Sequence, residues 1–265
     1  MDDTGAGVGW AAGGWGITPE VRGAMLLHEA REALNFGDPA AAVAMAEEAL
    51  EDDPDDVEAL LLVADAAARA GQPEVAVLAA AQARKRGAVT GAVEAAALLG
   101  ACQVEEALVA ADSALLRDTT DARSWAVRGQ ALELLGLDGA QTAFDSAHAL
   151  HPERFPRPLD VSLERWPKLY LEALGELPDG ERAVYLDAVI RWEQVPALAD
   201  LRALDPPAPP GLALLGSERD GRVFCTIYRT NLTRGSVDEE DVLDRLTEAL
   251  ATEARILLAE RRELF

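Results

Sequence analysis

At 265 residues, 49% of them apolar, the chain is long enough for two cores and too hydrophobic for a disordered acidic tail. A net charge of -23 argues against nucleic acid or an anionic membrane as a partner, since both would be repelled, while a basic protein surface would be attracted. No apolar run approaches the ~20 residues of a membrane span, no basic-then-apolar leader is read, and the two cysteines, Cys102 and Cys225, lie far apart in apolar surroundings; the expectation is a cytoplasmic protein with reduced, buried thiols.

Residues 1–20 read as a flexible Gly-rich tail. Its Gly5-Ala6-Gly7-Val8-Gly9 run lacks the spacing of a dinucleotide loop and follows no strand, and Trp10 and Trp15 are candidate anchors onto a neighbouring surface. From 21 to 154 the chain is helical and repetitive. A period of 34 residues links Gly37 to Gly71, Ala30 to Ala64, Ala42 to Ala76 and Ala49 to Ala83. Small residues recur because helices pack closely only where side chains do not hold them apart. Asp38-Pro39 and Gln72-Pro73 follow the glycines and start new helices. A third unit keeps Ala95, Ala107, Ala111 and Ala114, with about three residues missing before it. A fourth carries Trp125, Gly129 and Leu132, then Ala140, Phe144, Ala147 and Pro152, with one residue lost in the turn at Gly136.

This half resembles the tetratricopeptide (TPR) family, whose 34-residue helix-turn-helix units carry small residues at these places. The resemblance implies a stack of about four hairpins whose concave groove holds a partner peptide. Groove candidates from the first helices are Arg31, Asn35, Asp65, Arg69 and Arg128, although any one of them reads more readily as a solvated surface residue. His28, His148 and His151 are too few and too scattered for a metal site; only the last two stand at i, i+3.

Phe155-Pro156-Arg157-Pro158 reads as a linker, and 159–265 as a separate α+β domain. The expected elements are a helix over 163–177 with Leu163, Trp166, Leu169, Tyr170 and Leu174 on one face, and a short helix or strand within 184–192. A Pro-rich loop at 205–210 follows, then a strand over 223–228 entered from Glu218-Arg219-Asp220-Gly221. The last helix starts after Ser236, with Ser236 and Glu239 as a capping box. The order of Leu177-Pro178, Pro206 to Pro210, a Leu215-Gly216 turn, Ile227 to Leu232 and the final helix resembles a small bacterial zincin-like metallopeptidase family. The resemblance implies a His-Glu-x-x-His helix, in which two imidazoles on one helical face hold zinc and the Glu activates water.

Here Thr252-Glu253-Ala254-Arg255-Ile256 stands at that place, and 159–265 contains no histidine. Without zinc a water molecule keeps its pKa near ~15.7, so Glu253 has nothing useful to deprotonate. Thr252 and Ile256 then read as fillers of the former metal space. Glu253 falls on the apolar stripe of Leu246, Leu250 and Leu257, either in a residual pocket, where it would hold a ligand or an Arg, or at the stripe's edge reaching solvent, or with a structural partner. No serine elbow and no phosphate-binding loop is present. The resemblance also implies an edge strand for pairing with an extended chain, at Thr226 and Tyr228.

The reading is therefore a mostly α, non-enzymatic adaptor without metal or cofactor. A TPR-like solenoid would bind a protein partner, and a pseudo-metallopeptidase would add a second surface. Two alternatives stay open: a peptidase with partner-supplied or unusual zinc ligands, and a C-terminal domain that only caps the solenoid.

Overall fold

The spacing of left-handed turn residues sets the architecture of the first half. In the computed structural model, which describes residues 18–205 and 207–263, four helical hairpins stack into an α-solenoid. They are α1 (Pro19–Asn35) with α2 (Pro39–Asp52), α3 (Val57–Arg69) with α4 (Pro73–Lys85), α5 (Gly91–Gly100) with α6 (Val104–Leu115), and α7 (Ala122–Leu134) with α8 (Ala140–Leu150). The Gly5–Gly9 run, Trp10 and Trp15 lie outside the described residues.

Each hairpin turn carries a residue at positive φ, Gly37, Gly71, Cys102 and Gly136, and the fourth turn carries a second, Gly139. The next N–H then reaches back across the last helical turn, as from Asp38 to the Ala33 carbonyl at 2.8 Å and from Gln103 to the Leu98 carbonyl at 2.9 Å. This closure satisfies carbonyls that the helix end leaves free. The interval from Gly71 to Cys102 is shorter than the 34-residue period because α5 has 10 residues where α3 has 13. Cys102 occupies the glycine position at φ 58°, which costs about 1–2 kcal/mol for a residue with a Cβ.

The alanines explain the close stacking. Ala30, Ala64 and Ala95 lie seven residues before the turn residue. Ala42, Ala46 and Ala49, with their counterparts Ala76, Ala80 and Ala83 and Ala107, Ala111 and Ala114, face them from the second helices. All are buried. The fourth hairpin exchanges this pair of sizes. Gly129 replaces the alanine, and Phe144 fills the space, so close that a Cβ on Gly129 would stand 2.7 Å from its ring. Its turn spans 135–139, against 36–38 in the first hairpin, so the expected loss of a residue at Gly136 is a gain of two. Asp38, Asp56 and Asp121 cap α2, α3 and α7 through their side chains. First helices pack on one another along the stack (α1 on α3, α3 on α5, α5 on α7) more closely than second helices do. The stack therefore bends with the first helices on its inner face.

The second half is α+β. It comprises α9 (Trp166–Glu176), α10 (Asp179–Arg182), β1 (Val189–Glu193), α11 (Leu198–Arg202), β2 (Leu214–Arg219), β3 (Arg222–Tyr228), α12 (Arg229–Thr233) and α13 (Glu239–Glu263). The sheet order is β1-β3-β2, with β1 parallel and β2 antiparallel to β3. Trp166 and Leu169 from α9, Leu214 and Ile227 from the sheet, and Leu246 and Leu250 from α13 form its core. The buried Tyr185 hydroxyl ties the segment before β1 to α13 by donating to the Leu250 carbonyl at 2.6 Å. Cys102 and Cys225 are free and buried, and burial pushes the Cys225 thiol up to about 12.

Three local expectations change. Leu163 precedes α9 and is exposed, because the helix begins at Trp166. Leu215-Gly216 is no turn but the middle of β2. Ser236 does not cap α13: its hydroxyl donates to the Leu232 carbonyl at 2.7 Å. Asp238 and Asp241 form the reciprocal cap, with Asp241 N–H donating to Asp238 at 2.9 Å and Val237 N–H to Asp241 at 3.1 Å. Among the described residues, no helix is long and apolar enough to cross a membrane.

The segment between β1 and β2 leaves its own domain and packs on the solenoid. Leu201 of α11 is fully buried in the core of α5, α6 and α7, with Leu198, Ala208 and Leu212 beside it. Next to it Arg202 donates to the Cys102 carbonyl at 3.2 Å and pairs with Glu105. The C-terminal domain thus grips the one hairpin turn that lacks a glycine. Arg234 adds a second tie, to Glu133 of α7 at 2.7 Å.

Candidate functional site

The docking of the C-terminal domain leaves a groove on the inner face of the solenoid. Its floor comes from successive first helices: Ala68 and Arg69 of α3, Ala96 and Leu99 of α5, and Arg123, Val127 and Gln130 of α7. Its far wall is Phe155 of the linker together with Pro209-Pro210-Gly211. The groove is open to solvent and has a volume of about 350 Å³. Asn231 of α12 fixes the Pro-rich wall, donating through its side-chain amide to the carbonyls of Pro210 and Leu212, both at 2.8 Å. A rigid proline pair needs few such anchors to hold its shape.

The groove is apolar with charge at one end. Asp65 pairs with Arg69 at 2.8 Å and, across two hairpins, with Arg123. Burial pulls the Arg123 guanidinium below its ordinary value, and the Asp65 carboxylate opposes that shift. The pair links α3 to α7 over the short α5, which is too small to keep them apart at this end.

The expected groove residues divide. Arg69 lines the groove, and Asp65 stands behind it as the partner of Arg69 and Arg123. Arg31 faces the same side but is held by Glu58 at the open end of the stack, and Asn35 is exposed beyond it. Arg128 is not a groove residue: it points toward α6, where it pairs with Asp112 at 2.7 Å and lies 5.8 Å from the Trp125 ring centre. Arg123, Gln130 and the wall residues were not singled out in the sequence. Gln130 lies six residues before its turn residue, as Arg31, Asp65 and Ala96 do, so repeat register alone points to it. The wall carries no such signal.

Thr252 and Ile256 are exposed, Ile256 at 47%, so neither fills a former metal space. Glu253 points inward and accepts the Gly216 N–H at 2.9 Å. Gly216 is required there, since a Cβ would fall 2.7 Å from Glu253 Cγ. Burial raises the Glu253 carboxyl above the usual carboxylate range, and the Gly216 hydrogen bond opposes the shift. Glu253 therefore has the structural partner that a buried carboxylate needs. The edge role of Thr226 and Tyr228 also fails. They lie on β3, the central strand, whose two sides are taken by β1 and β2. Among the described residues, no three of His, Cys, Asp and Glu stand close enough to share a metal ion.

Among solved structures, the chain is similar to a thermophilic TPR protein of Thermus thermophilus, with 24% identity over 49% of this chain and 74% of that one and a TM-score of 0.44. It is also similar to a double mutant of MamA RS-1, with 20% identity over 61% of this chain and 89% of that one and a TM-score of 0.40. No protein-family model matches the chain, and no curated protein does.

Proposed function

We propose that the protein is a non-enzymatic interaction scaffold that holds an extended segment of a partner protein in the inner groove of its solenoid. The observation that carries this reading is the groove itself, floored by three first helices and walled by Phe155 and Pro209 to Gly211. An extended segment suits it because a wall of rigid prolines and a floor of fixed helices lose little freedom on binding. The C-terminal domain then acts as cap and wall for the solenoid, and the zincin resemblance contributes no surface to the reading. Acidic groups gather at the open end, where Asp52, Asp53, Asp56 and Glu58 surround Arg31; a partner with a basic surface would be steered there.

The groove reading is tested by filling it. Ala96→Trp places a large side chain on the groove floor. Captured from extracts of the source cell on full-length bait, the partner is expected to fall at least about tenfold with this variant, the loss a blocked contact of about 1.4 kcal/mol or more produces. Retention of the same partner at full yield would contradict the reading, provided the melting temperature is unchanged.

A further inference from the structure

A second cavity, of about 310 Å³, opens at the last hairpin and shares Ala126, Gln130 and Phe155 with the groove. That is at the small end of the range that ligand pockets occupy. Phe144 of α8 and Phe155 and Pro156 of the linker give it apolar faces. Three guanidiniums line it, from Arg154, Arg157 and Arg234, against one carboxylate, Asp145. In a chain of net charge -23 this is a local reversal of sign, and a concave site with that sign concentrates anions.

The three arginines differ in how far they are committed. Arg234 pairs with Glu133 at 2.7 Å and lies 4.7 Å over the Phe144 ring, so it holds the wall in place. Arg157 stands 3.6 Å from Asp145 and is largely exposed. Arg154 lies 5.7 Å over the Phe155 ring and has no carboxylate partner among the described residues. The mouth is shaped by His148, whose Nδ1 is 3.0 Å from the Phe155 carbonyl. A carbonyl only accepts, so Nδ1 carries the proton, and the contact pins the linker over α8.

We propose that this cavity binds a small aromatic anion, with its ring against Phe155 and Phe144 and its charged group on Arg154 and Arg157. Planar guanidiniums match a flat oxyanion through paired N–H donors, and such charge-assisted bonds are about twice as strong as neutral ones. The ligand would touch α8, the linker and Gly235 of the C-terminal domain together, and so bridge the junction between the two halves.

The test compares two dyes of one shape on the full chain. 1-Anilinonaphthalene-8-sulfonate carries the charge, and N-phenyl-1-naphthylamine lacks it. Fluorescence titration is expected to give one saturable sulfonate site per chain, displaced by benzoate. In Arg154→Ala/Arg157→Ala that affinity is expected to fall at least about tenfold, with the neutral dye changed less than about threefold, because charge-assisted bonds are lost and the apolar faces are kept. The double variant Arg22→Ala/Arg86→Ala, equal in net charge, is expected to leave both dyes unchanged. Absence of a saturable site, equal affinity in the Arg154/Arg157 variant, or an equal loss in the control pair would each overturn the proposal.

Discussion

Leu201→Ala is expected to loosen the C-terminal domain from the solenoid and to cost about 2–5 kcal/mol, the range for truncating a buried leucine. Leu201 is fully buried, and its neighbours come from a different half of the chain than the helix that carries it. The cavity left behind is not readily refilled by α11, which has only five residues and adds only the partly buried Leu198 and the Arg202 contacts beside this side chain. The ion pair beside it is a poor substitute. Arg202 and Glu105 have side chains 41% and 53% exposed, so Arg202→Ala is expected to cost about 1 kcal/mol or less from the pair. Urea unfolding followed by tryptophan fluorescence separates the two effects. The native chain is expected to unfold in one transition and Leu201→Ala in two, with faster proteolysis in the 203–213 segment. A single, unshifted transition in Leu201→Ala would show that the two halves are coupled elsewhere.

Gly216→Ala is the second large effect, about 1–3 kcal/mol of destabilisation from overpacking. The added Cβ would meet Glu253 Cγ at 2.7 Å and Cδ at 2.9 Å, so the carboxylate must leave its hydrogen bond or β2 must move from α13. In Gly216→Ala/Glu253→Ala the clash is absent, and the combined loss is expected to be smaller than the sum of the single losses. Glu253 also imposes a pH dependence of a definite sign. Its carboxyl is raised in the folded chain, chiefly by burial, so the folded state binds that proton more tightly than the unfolded state. The resulting penalty is absent below the ordinary carboxylate value of about 4.3 and complete above the raised value. Its contribution to stability therefore declines as pH rises through that window. Glu253→Gln keeps an oxygen acceptor for Gly216 N–H and removes the charge. It is expected to abolish this slope and to be more stable than the native chain at neutral pH. Parallel stability profiles of the two proteins from pH 4 to 7 would contradict the assignment.

The solenoid was legible because its physics is local and repeated. An alanine seven residues before a turn glycine marks where two helices cross, and Gly37, Gly71 and Gly136 mark where the chain reverses. Even the shortened third unit was visible as missing residues, although Cys102 in the glycine position was not. The C-terminal domain was legible only in part. The hydrophobic run of β3 was plain, whereas β2 contains Gly216 and ends in Glu218-Arg219, which read as turn and loop. The position of β3 between two partners depends on pairings that no single segment carries. The likeness of Thr252 to Ile256 to a metal-binding helix rested on spacing alone, and spacing does not say which face is covered. The groove wall was hidden for a related reason: Pro209 to Gly211 meet the solenoid only because Leu201 buries itself about 100 residues away from its neighbours in sequence.

Photo-crosslinking of the full chain in its source cell tests the groove most directly. A photoreactive phenylalanine replaces Ala68, on the groove floor, or Val109, which is exposed on α6 outside the groove. The account predicts a discrete adduct with one partner protein from position 68, lost when Ala96→Trp is added, and none from position 109. Adducts from position 109 alone, or from position 68 with the Trp plug in place, would contradict it.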